Sequence, residues 1–259
     1  MTRRPLPETD EGGPQAPGQA ITPPEPGTPR WWTERAVAEG RRKPRAGGLS
    51  TARIVETALE VLREGGLDAL TLRAVASRLG AGSNASLYRH IASRDELIVL
   101  IIDHLMGEVR LERTGRGWRA DAEALMREMR RVILDQPLPT SVTRSRSAYG
   151  PNMLRVVNAT LGIFLNAGLT NEQAAFASIT MIEFVASATT IERTTAGRRK
   201  TGEIGTAEFH DLIVGLPPSE STALLAAGDD YLTATAADVF TRSMALFLDG
   251  IASQLPCEG

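Results

Sequence analysis

The fold of this chain is decided by residues 71–94, TLRAVASRLGAGSNASLYRHIASR. The first part predicts a helix, because Thr71 is a good N-cap and apolar residues follow it at helical spacing. The segment Gly80–Gly82 interrupts that spacing, as in the turn of a helix-turn-helix motif. A second short helix follows, in which Leu87 and Ile91 are expected to face inward.

The second helix carries many polar side chains for its length. Its cap and its outward positions are Ser83, Asn84, Ser86, Tyr88, Arg89 and His90. A helix this short has few positions left for packing. The pattern therefore indicates an outer face that binds an anionic partner.

The flanking segments predict the supports of this motif. Ser50 is an N-cap for an earlier helix with an apolar stripe, and Gly65–Gly66 ends that helix. Ser93 caps a longer helix and Glu96 occupies its capping-box position. This connecting helix, over 93–110, is apolar on nearly every face. We therefore expect it to lie between the helix-turn-helix and a second body, as a lever shared by both.

The rest of the chain predicts helices and shows no alternating strand pattern, so the expected fold class is all-α. Proline and glycine place a loop at 195–225, with a turn of helix near Phe209. The other predicted helices cover 121–135, 152–166, 170–194 and 230–254.

Three parts are predicted along the chain. Residues 1–48 form an N-terminal extension that is expected to be disordered, with a basic arm at 41–48. Residues 49–95 form a three-helix module, and residues 96–259 form a larger helical domain. The pair Trp31–Trp32, followed by one or two turns of helix, either packs loosely or docks on the folded body or a partner.

Charge is unevenly distributed along the chain. The whole sequence has a formal net charge of −2, whereas residues 41–94 contain ten basic and four acidic side chains. This asymmetry is expected when one module meets a polyanion and another does something else. The single Cys257 fits a reducing compartment, and no run of about 18 apolar residues is found. The sequence predicts a soluble, cytoplasmic protein without a membrane partner.

Four short motifs lie at characteristic distances from one another within residues 49–97. They are Gly66-Leu67, Leu70-Thr71, Val75-Ala76 and Leu87-Tyr88-Arg89-His90. Together they resemble the N-terminal DNA-binding domain of the TetR family of bacterial transcriptional regulators. The remainder is similar to the tetracycline-repressor-like branch in its helix lengths, its AGLT turn and its closing amphipathic helix. Between Leu79 and Tyr88 the chain is one residue longer than is usual for the family.

The resemblance implies which side chains contact double-stranded DNA. In the family the third helix lies in the major groove and its first turn touches base edges. Base contacts are expected from Asn84 and Ser86, and Arg73 is expected to reach either guanine or a phosphate. Phosphate contacts are expected from Tyr88, His90 and Arg94, and phosphate or minor-groove contacts from the basic arm. The full predicted set is Arg42, Lys43, Arg45, Thr71, Arg73, Ser83, Asn84, Ser86, Tyr88, Arg89, His90 and Arg94.

The resemblance also implies that the C-terminal part binds a small-molecule effector and forms a homodimer. The helices near 172–194 and 230–254 are the expected dimer elements. Candidate effector-binding residues are His104, Trp118, Met153, Phe164, Phe176 and Met181, although Met and Phe at helical spacing also fill ordinary cores. The expected function is a repressor that binds a palindromic operator as a homodimer and is released by a small molecule. No cofactor or metal is expected.

Two other classes of function remain to be weighed. An enzyme is disfavoured, because the three histidines form no cluster and the sequence lacks a phosphate-binding glycine loop and a nucleophile elbow. A DNA-binding regulator without a small-molecule effector stays open. Such a protein would be constitutive or controlled by a partner protein.

Overall fold

The structure is a computed structural model, and it describes residues 23–41, 49–80, 83–135, 149–200 and 206–255. Within these ranges the regular elements are all helices, so the all-α prediction is confirmed. They are α1 (Pro29–Gly40), α2 (Thr51–Ala69), α3 (Leu72–Leu79), α4 (Ser83–His90), α5 (Arg94–Met106), α6 (Trp118–Asp135), α7 (Pro151–Asn166), α8 (Asn171–Lys200), α9 (Thr206–Val214), α10 (Pro218–Thr233) and α11 (Ala236–Ala252).

The DNA-binding domain, α2 to α4, forms as the sequence predicts. The Ser50 hydroxyl accepts the Arg53 N–H at 3.2 Å, and the Thr71 hydroxyl accepts the Ala74 N–H at 3.0 Å. Gly66 breaks the last turn of α2 with φ of 70°, a conformation that favours glycine. These local signals fix where each helix begins and ends, and the apolar stripe of each helix then closes one core with α5.

The connecting helix α5 is almost entirely enclosed. All seven residues from Leu97 to Asp103 are buried, which confirms that it lies between two bodies. Ser93 caps it by accepting the Glu96 N–H at 3.0 Å. The capping-box expectation for Glu96 is wrong, because its carboxylate accepts the Ala92 N–H at 2.6 Å and pairs with Arg35.

The N-terminal extension contains an ordered helix, so the expectation of disorder over 1–48 is wrong for residues 29–40. Thr28 caps α1 and Pro29 starts it, which are both favourable helix-start residues. The helix runs for 12 residues, longer than the one or two turns predicted. Trp31 is 9% exposed and belongs to the core shared by α2 to α5, so the tryptophan pair docks on the folded body. Residues 1–22 and 42–48 lie outside the described ranges.

The second core is built by α6, α7, α8 and α11. Its centre is unusually rich in sulfur and aromatic side chains, including the buried residues Met126, Met129, Met181 and Phe164. The predicted loop at 195–225 is wrong, because α8 continues to Lys200 and is followed by α9 and the first half of α10. The turn of helix predicted near Phe209 is confirmed, since this residue lies within α9. The final helix begins at Ala236, later than predicted, because Thr235 and Asp238 form a capping box there.

One helix contradicts the expectation about membrane-spanning segments. By length and composition alone, residues 171–195 of α8 are apolar enough to cross a membrane, with a mean hydropathy of 1.5. In this fold α8 packs against α6, α7 and α11, and one third of its most apolar 18-residue window is buried. Several large apolar side chains of α8 therefore lie on the outer surface of the single chain.

Candidate DNA-binding surface and effector domain

The helix-turn-helix, α3 and α4, is anchored from below by its apolar residues. Val75 and Ala76 of α3, with Leu87 of α4 and Ile91 just after it, are at most 2% exposed. Every one of these residues was predicted to face inward. Because they fix the rotation of both helices, the opposite faces are directed to solvent.

Two of the residues predicted to contact DNA have exposed side chains on that outer face. Arg73 is exposed near the start of α3, and Tyr88 on α4 is 56% exposed although tyrosine is largely apolar. Within the described part of the chain, neither side chain forms a hydrogen bond or an ion pair. A guanidinium and a phenol in this state retain their full capacity to bind phosphate or base edges.

Four more predicted contacts have intramolecular roles as well. The Thr71 hydroxyl is occupied as the cap of α3. Arg89 donates from Nη2 to the Ser86 hydroxyl at 3.1 Å, so these two side chains orient one another on α4. His90 is half-buried, and its carbonyl accepts a hydrogen bond from Arg35 at 3.2 Å.

Arg94 has a structural role that the sequence did not reveal. Its Nε donates to the Leu70 carbonyl at 2.7 Å, and its Nη2 donates to the Leu67 carbonyl at 2.6 Å. These carbonyls lie at the C-terminal end of α2, where the Leu67 carbonyl also accepts the Leu70 N–H at 3.2 Å. The guanidinium therefore ties the start of α5 to the link between α2 and α3. Only the N–H groups of Arg94 that do not donate to these carbonyls remain for the predicted phosphate contact.

The remaining predicted DNA contacts involve residues outside the described ranges or residues whose side chains are not described. Arg42, Lys43 and Arg45 of the basic arm lie outside the described residues. Ser83 and Asn84 begin α4, but their side chains are not described. Their contacts with DNA stay predictions.

Arg78 was missed by the sequence reasoning. Its Nη1 donates to Glu64 at 2.9 Å, its Nη2 pairs with the same carboxylate, and Glu60 lies 3.5 Å away. The hydrogen bond from Arg78 lowers the pKa of Glu64, and the same bond raises the pKa of Arg78. This ion pair joins α3 to α2. The sequence signal for this ion pair was an arginine on α3 together with two glutamates one turn apart on α2.

The six candidate effector residues do not line one cavity. Phe164 and Met181 are fully buried as core filler, whereas His104, Trp118 and Met153 are half-buried. Phe176 is 64% exposed on the outer face of α8, and its role in effector binding stays a prediction. It lines an open groove with Thr180 of the same helix and with residues of α11.

Asp103 connects the lever helix to the effector domain. Its carboxylate accepts the backbone N–H groups of Asn152 and Met153, each at 3.1 Å, and so caps the first turn of α7. Burial raises the pKa of Asp103, while these hydrogen bonds oppose the rise. The sequence reasoning had not singled out this residue.

Comparison with known proteins establishes the class. A family profile described as "Tetracyclin repressor-like, C-terminal domain" matches residues 111–255, and one described as "Bacterial regulatory proteins, tetR family" matches residues 54–101. The second match falls on the helix-turn-helix and the connecting helix, and the first covers more than half of the chain. The chain belongs to the TetR family of bacterial transcriptional regulators.

Two curated relatives agree with this assignment. An HTH-type transcriptional regulator of Saccharopolyspora erythraea is 39% identical over 121 residues, covering 46% of this chain and 50% of that protein. The HTH-type transcriptional repressor DrrR1 of Streptomyces coeruleorubidus is 31% identical over 160 residues, covering 61% and 57%. The chain thus matches little more than half the length of either relative.

Solved structures match over a longer range. ActR of Streptomyces coelicolor in complex with actinorhodin superposes with a TM-score of 0.71 at 26% identity, covering 83% of this chain and 100% of that one. Apo ActR gives a TM-score of 0.69 at 27% identity, with 82% and 98% coverage. The likeness extends through both domains of the chain.

Proposed function

We propose that this protein is a homodimeric repressor that binds a palindromic operator and is released by a small-molecule effector. The observation that carries the DNA-binding part is the outer face of the helix-turn-helix. There Arg73 and Tyr88 stand exposed and uncommitted on helices whose inner faces are fixed by buried residues. Such a surface is suited to a polyanion that supplies acceptors for both groups.

The homodimer is supported by the outer faces of α8 and α11. Large apolar side chains are exposed there although α8 and α11 also contribute to the core: Phe176, Ile179 and Ile191 on α8, and Val239 and Leu246 on α11. Contiguous exposed apolar residues mark interaction surfaces in soluble proteins. A second copy presenting the same two faces is self-complementary, so four helices bury one another around a two-fold axis.

A small-molecule effector is supported by the family likeness and by the connecting helix. ActR, a structural relative, has been crystallised with actinorhodin. In this chain α5 belongs to both cores, and Asp103 on α5 caps α7. A ligand that binds one arrangement of α5 to α8 more tightly shifts the separation of the two recognition helices. The proposal places the protein in the cytoplasm and includes no cofactor or metal.

One observation favours the alternative, a DNA-binding regulator without a small-molecule effector. Two of the candidate effector residues, Phe164 and Met181, are completely buried in the core of the second domain, whereas Phe176 is 64% exposed. A thermal-shift screen with apolar small molecules separates the two functions, because a ligand of the native state raises the unfolding midpoint.

Selection of bound sites from random DNA tests the proposal directly. We expect inverted half-sites whose centres are about 34–36 Å apart, or a multiple of that distance, because successive major-groove turns have that spacing. Repeating the selection with Asn84→Ala should relax the preference at one base pair of each half-site. Recovery of single, unpaired half-sites would contradict the dimer, and no enrichment at all would contradict sequence-specific DNA binding.

A further inference from the structure

The helix α1 precedes the DNA-binding domain and makes contacts on three sides. Trp31 enters the N-terminal core, with Trp32 packed edge-on against it at a centroid distance of 4.7 Å. The Arg35 guanidinium lies over the Trp31 ring, 5.3 Å from its centroid. The helix is thus held by specific side chains, and these contacts determine where it sits.

Arg35 is the first of two contacts that reach functional elements. Its side chain and that of Glu96 are each 9% exposed, and the two form an ion pair. Nη1 of Arg35 also donates to the His90 carbonyl at 3.2 Å, and Nη2 donates to the Thr51 hydroxyl at 3.1 Å. Only the planar fork of an arginine serves partners in these different directions.

These partners surround the turn that follows the recognition helix α4. His90 is the last residue of α4, and Glu96 lies in the first turn of α5. The second carboxylate oxygen of Glu96 accepts the Ala92 N–H at 2.6 Å, inside the turn itself. Arg35 and Glu96 therefore hold both ends of the segment that sets the direction of α4 relative to α5.

Trp32 is the second contact, and it reaches the effector domain. A Cβ atom built on Gly150 lies 2.6 Å from Cζ2 of Trp32 and 2.2 Å from an Asp103 carboxylate oxygen, so only glycine fits between them. Gly150 is the N-cap of α7, whose first turn Asp103 also caps. The Trp32 Nε1–H is buried without a hydrogen-bond partner among the described residues, which shows how closely the indole is enclosed.

We propose that α1 is a positioning element that sets the orientation of the recognition helix, with Arg35 holding the turn between α4 and α5 and Trp32 holding the start of α7. The inference rests on the proposed DNA-binding function. Arg35 acts through His90 and Glu96 and is a positioning residue, since it does not itself form part of the outer face that meets DNA.

The proposal predicts a specific loss rather than a general one. If α4 samples several orientations, only the fraction in the competent orientation binds operator, and the apparent affinity falls by that fraction. Non-operator DNA is held mainly by phosphate charges and tolerates other orientations. The number of neutralised phosphates, and hence the salt dependence of operator binding, should stay the same.

The test measures DNA binding by the full-length chain well below each variant's unfolding midpoint. Arg35→Lys keeps the charge but loses the fork, and we expect operator affinity about tenfold weaker with non-operator affinity and salt slope unchanged. The matched control is Arg30→Lys, because Arg30 lies on the same helix and its ion pair with Glu34 is exposed on both sides. The control should bind operator like the wild type.

Further variants guard against misfolding. The double change Arg35→Met with Glu96→Met replaces the buried pair by apolar side chains of similar length, which usually preserves folding. Trp32→Ala removes the second contact, and both variants should lose operator affinity in the same selective way. Operator binding at wild-type affinity by folded Arg35→Lys and Trp32→Ala proteins would overturn the inference. Equal losses on operator and non-operator DNA would also overturn it, and failure of the wild type to bind any selected DNA would instead refute the proposed function.

Discussion

The two halves of this regulator solve the same packing problem but leave different surfaces. In the DNA-binding domain the apolar side chains are inside, and the outer face of α3 and α4 carries Arg73 and an exposed tyrosine. In the effector domain α8 and α11 expose phenylalanine, isoleucine, valine and leucine around an equally well-filled core. The first surface suits a hydrated polyanion and the second suits an apolar partner.

The halves also use arginine differently. In the N-terminal half, from α1 to the start of α5, Arg35, Arg78 and Arg94 hold helices together, which leaves Arg73 uncommitted on the described outer face. In the effector domain, guanidiniums pair with carboxylates between or along helices, as Arg130 does with Glu192 at 2.6 Å. A positive charge in the sequence therefore identifies a DNA contact only after its intramolecular partners are known.

The largest expected effect concerns the apolar surface. Leu246→Glu places a charge at a side chain that is 72% exposed in the single chain but buried in the proposed dimer. A buried unpaired carboxylate at an interface costs at least about 3 kcal/mol, so operator affinity should fall on the order of 100-fold. Analytical ultracentrifugation should show a monomer.

Leu154→Glu is the control for this change, because Leu154 is 53% exposed and belongs to α7, not to α8 or α11. It should leave the dimer and the operator affinity intact. A persistent Leu246→Glu dimer would move the interface elsewhere on the chain.

An intermediate effect should separate structural arginines from DNA-contacting ones. Arg94→Met removes two hydrogen bonds to the carbonyls of Leu67 and Leu70, so the free energy of unfolding should fall by about 2 kcal/mol. Arg73→Met should leave stability within about 0.5 kcal/mol of wild type but reduce the slope of log K against log salt by about 1. Denaturant unfolding and salt-dependent operator binding measure the two quantities.

The opposite result would change the roles assigned to these two arginines. If Arg94→Met reduces the salt slope and leaves stability unchanged, its remaining N–H groups hold phosphate and the carbonyl contacts matter little. If both variants reduce the slope, both cations contact the DNA backbone.

The contrast between the halves also explains what the sequence could predict. The helix-turn-helix and its caps were predictable because their signals are local, as with Ser50, Thr71 and Gly66. Helix α1 was underestimated because its stability comes from contacts distant in sequence, above all Arg35 with Glu96, 61 residues apart. The loop at 195–225 was wrong because a proline at the start of α10 is as compatible with a helix start as with a loop.

The candidate effector residues were hard to choose from the sequence for a related reason. Apolar periodicity shows that a helix has a buried face, but it does not say whether the neighbour is this chain or a second copy. Phe176 and Met181 lie on the same helix, yet one is exposed on the outside and the other is completely buried. The apolar residues of α8 therefore divide between the core of this chain and the surface proposed to bind a second copy.

The smallest expected effect concerns Glu128 on α6, which binds Arg110 in the segment between α5 and α6. Arg110 and Arg131 donate to its carboxylate at 2.8 Å, and these bonds, from Arg110 first, hold its pKa well below the usual range. Because the folded-state pKa is depressed, the stabilisation is present above the unfolded value of about 4.3 and is lost as pH falls below it. Glu128→Gln should cost about 1 kcal/mol at pH 7, discounted because both arginines are largely exposed.

Urea unfolding of both proteins between pH 7 and pH 3.5 tests this assignment. The difference between wild type and Glu128→Gln should shrink as the medium becomes more acidic, since the wild-type carboxylate is then protonated in the unfolded chain. Glu123→Gln is the control, because Glu123 lies on the same helix and its ion pairs, with Arg127 at 3.1 Å and Arg119, are within one turn. That control should change stability by no more than about 0.5 kcal/mol. A Glu128→Gln difference that is constant with pH would show that the loss comes from packing, because only an interaction that requires the charged carboxylate depends on its titration.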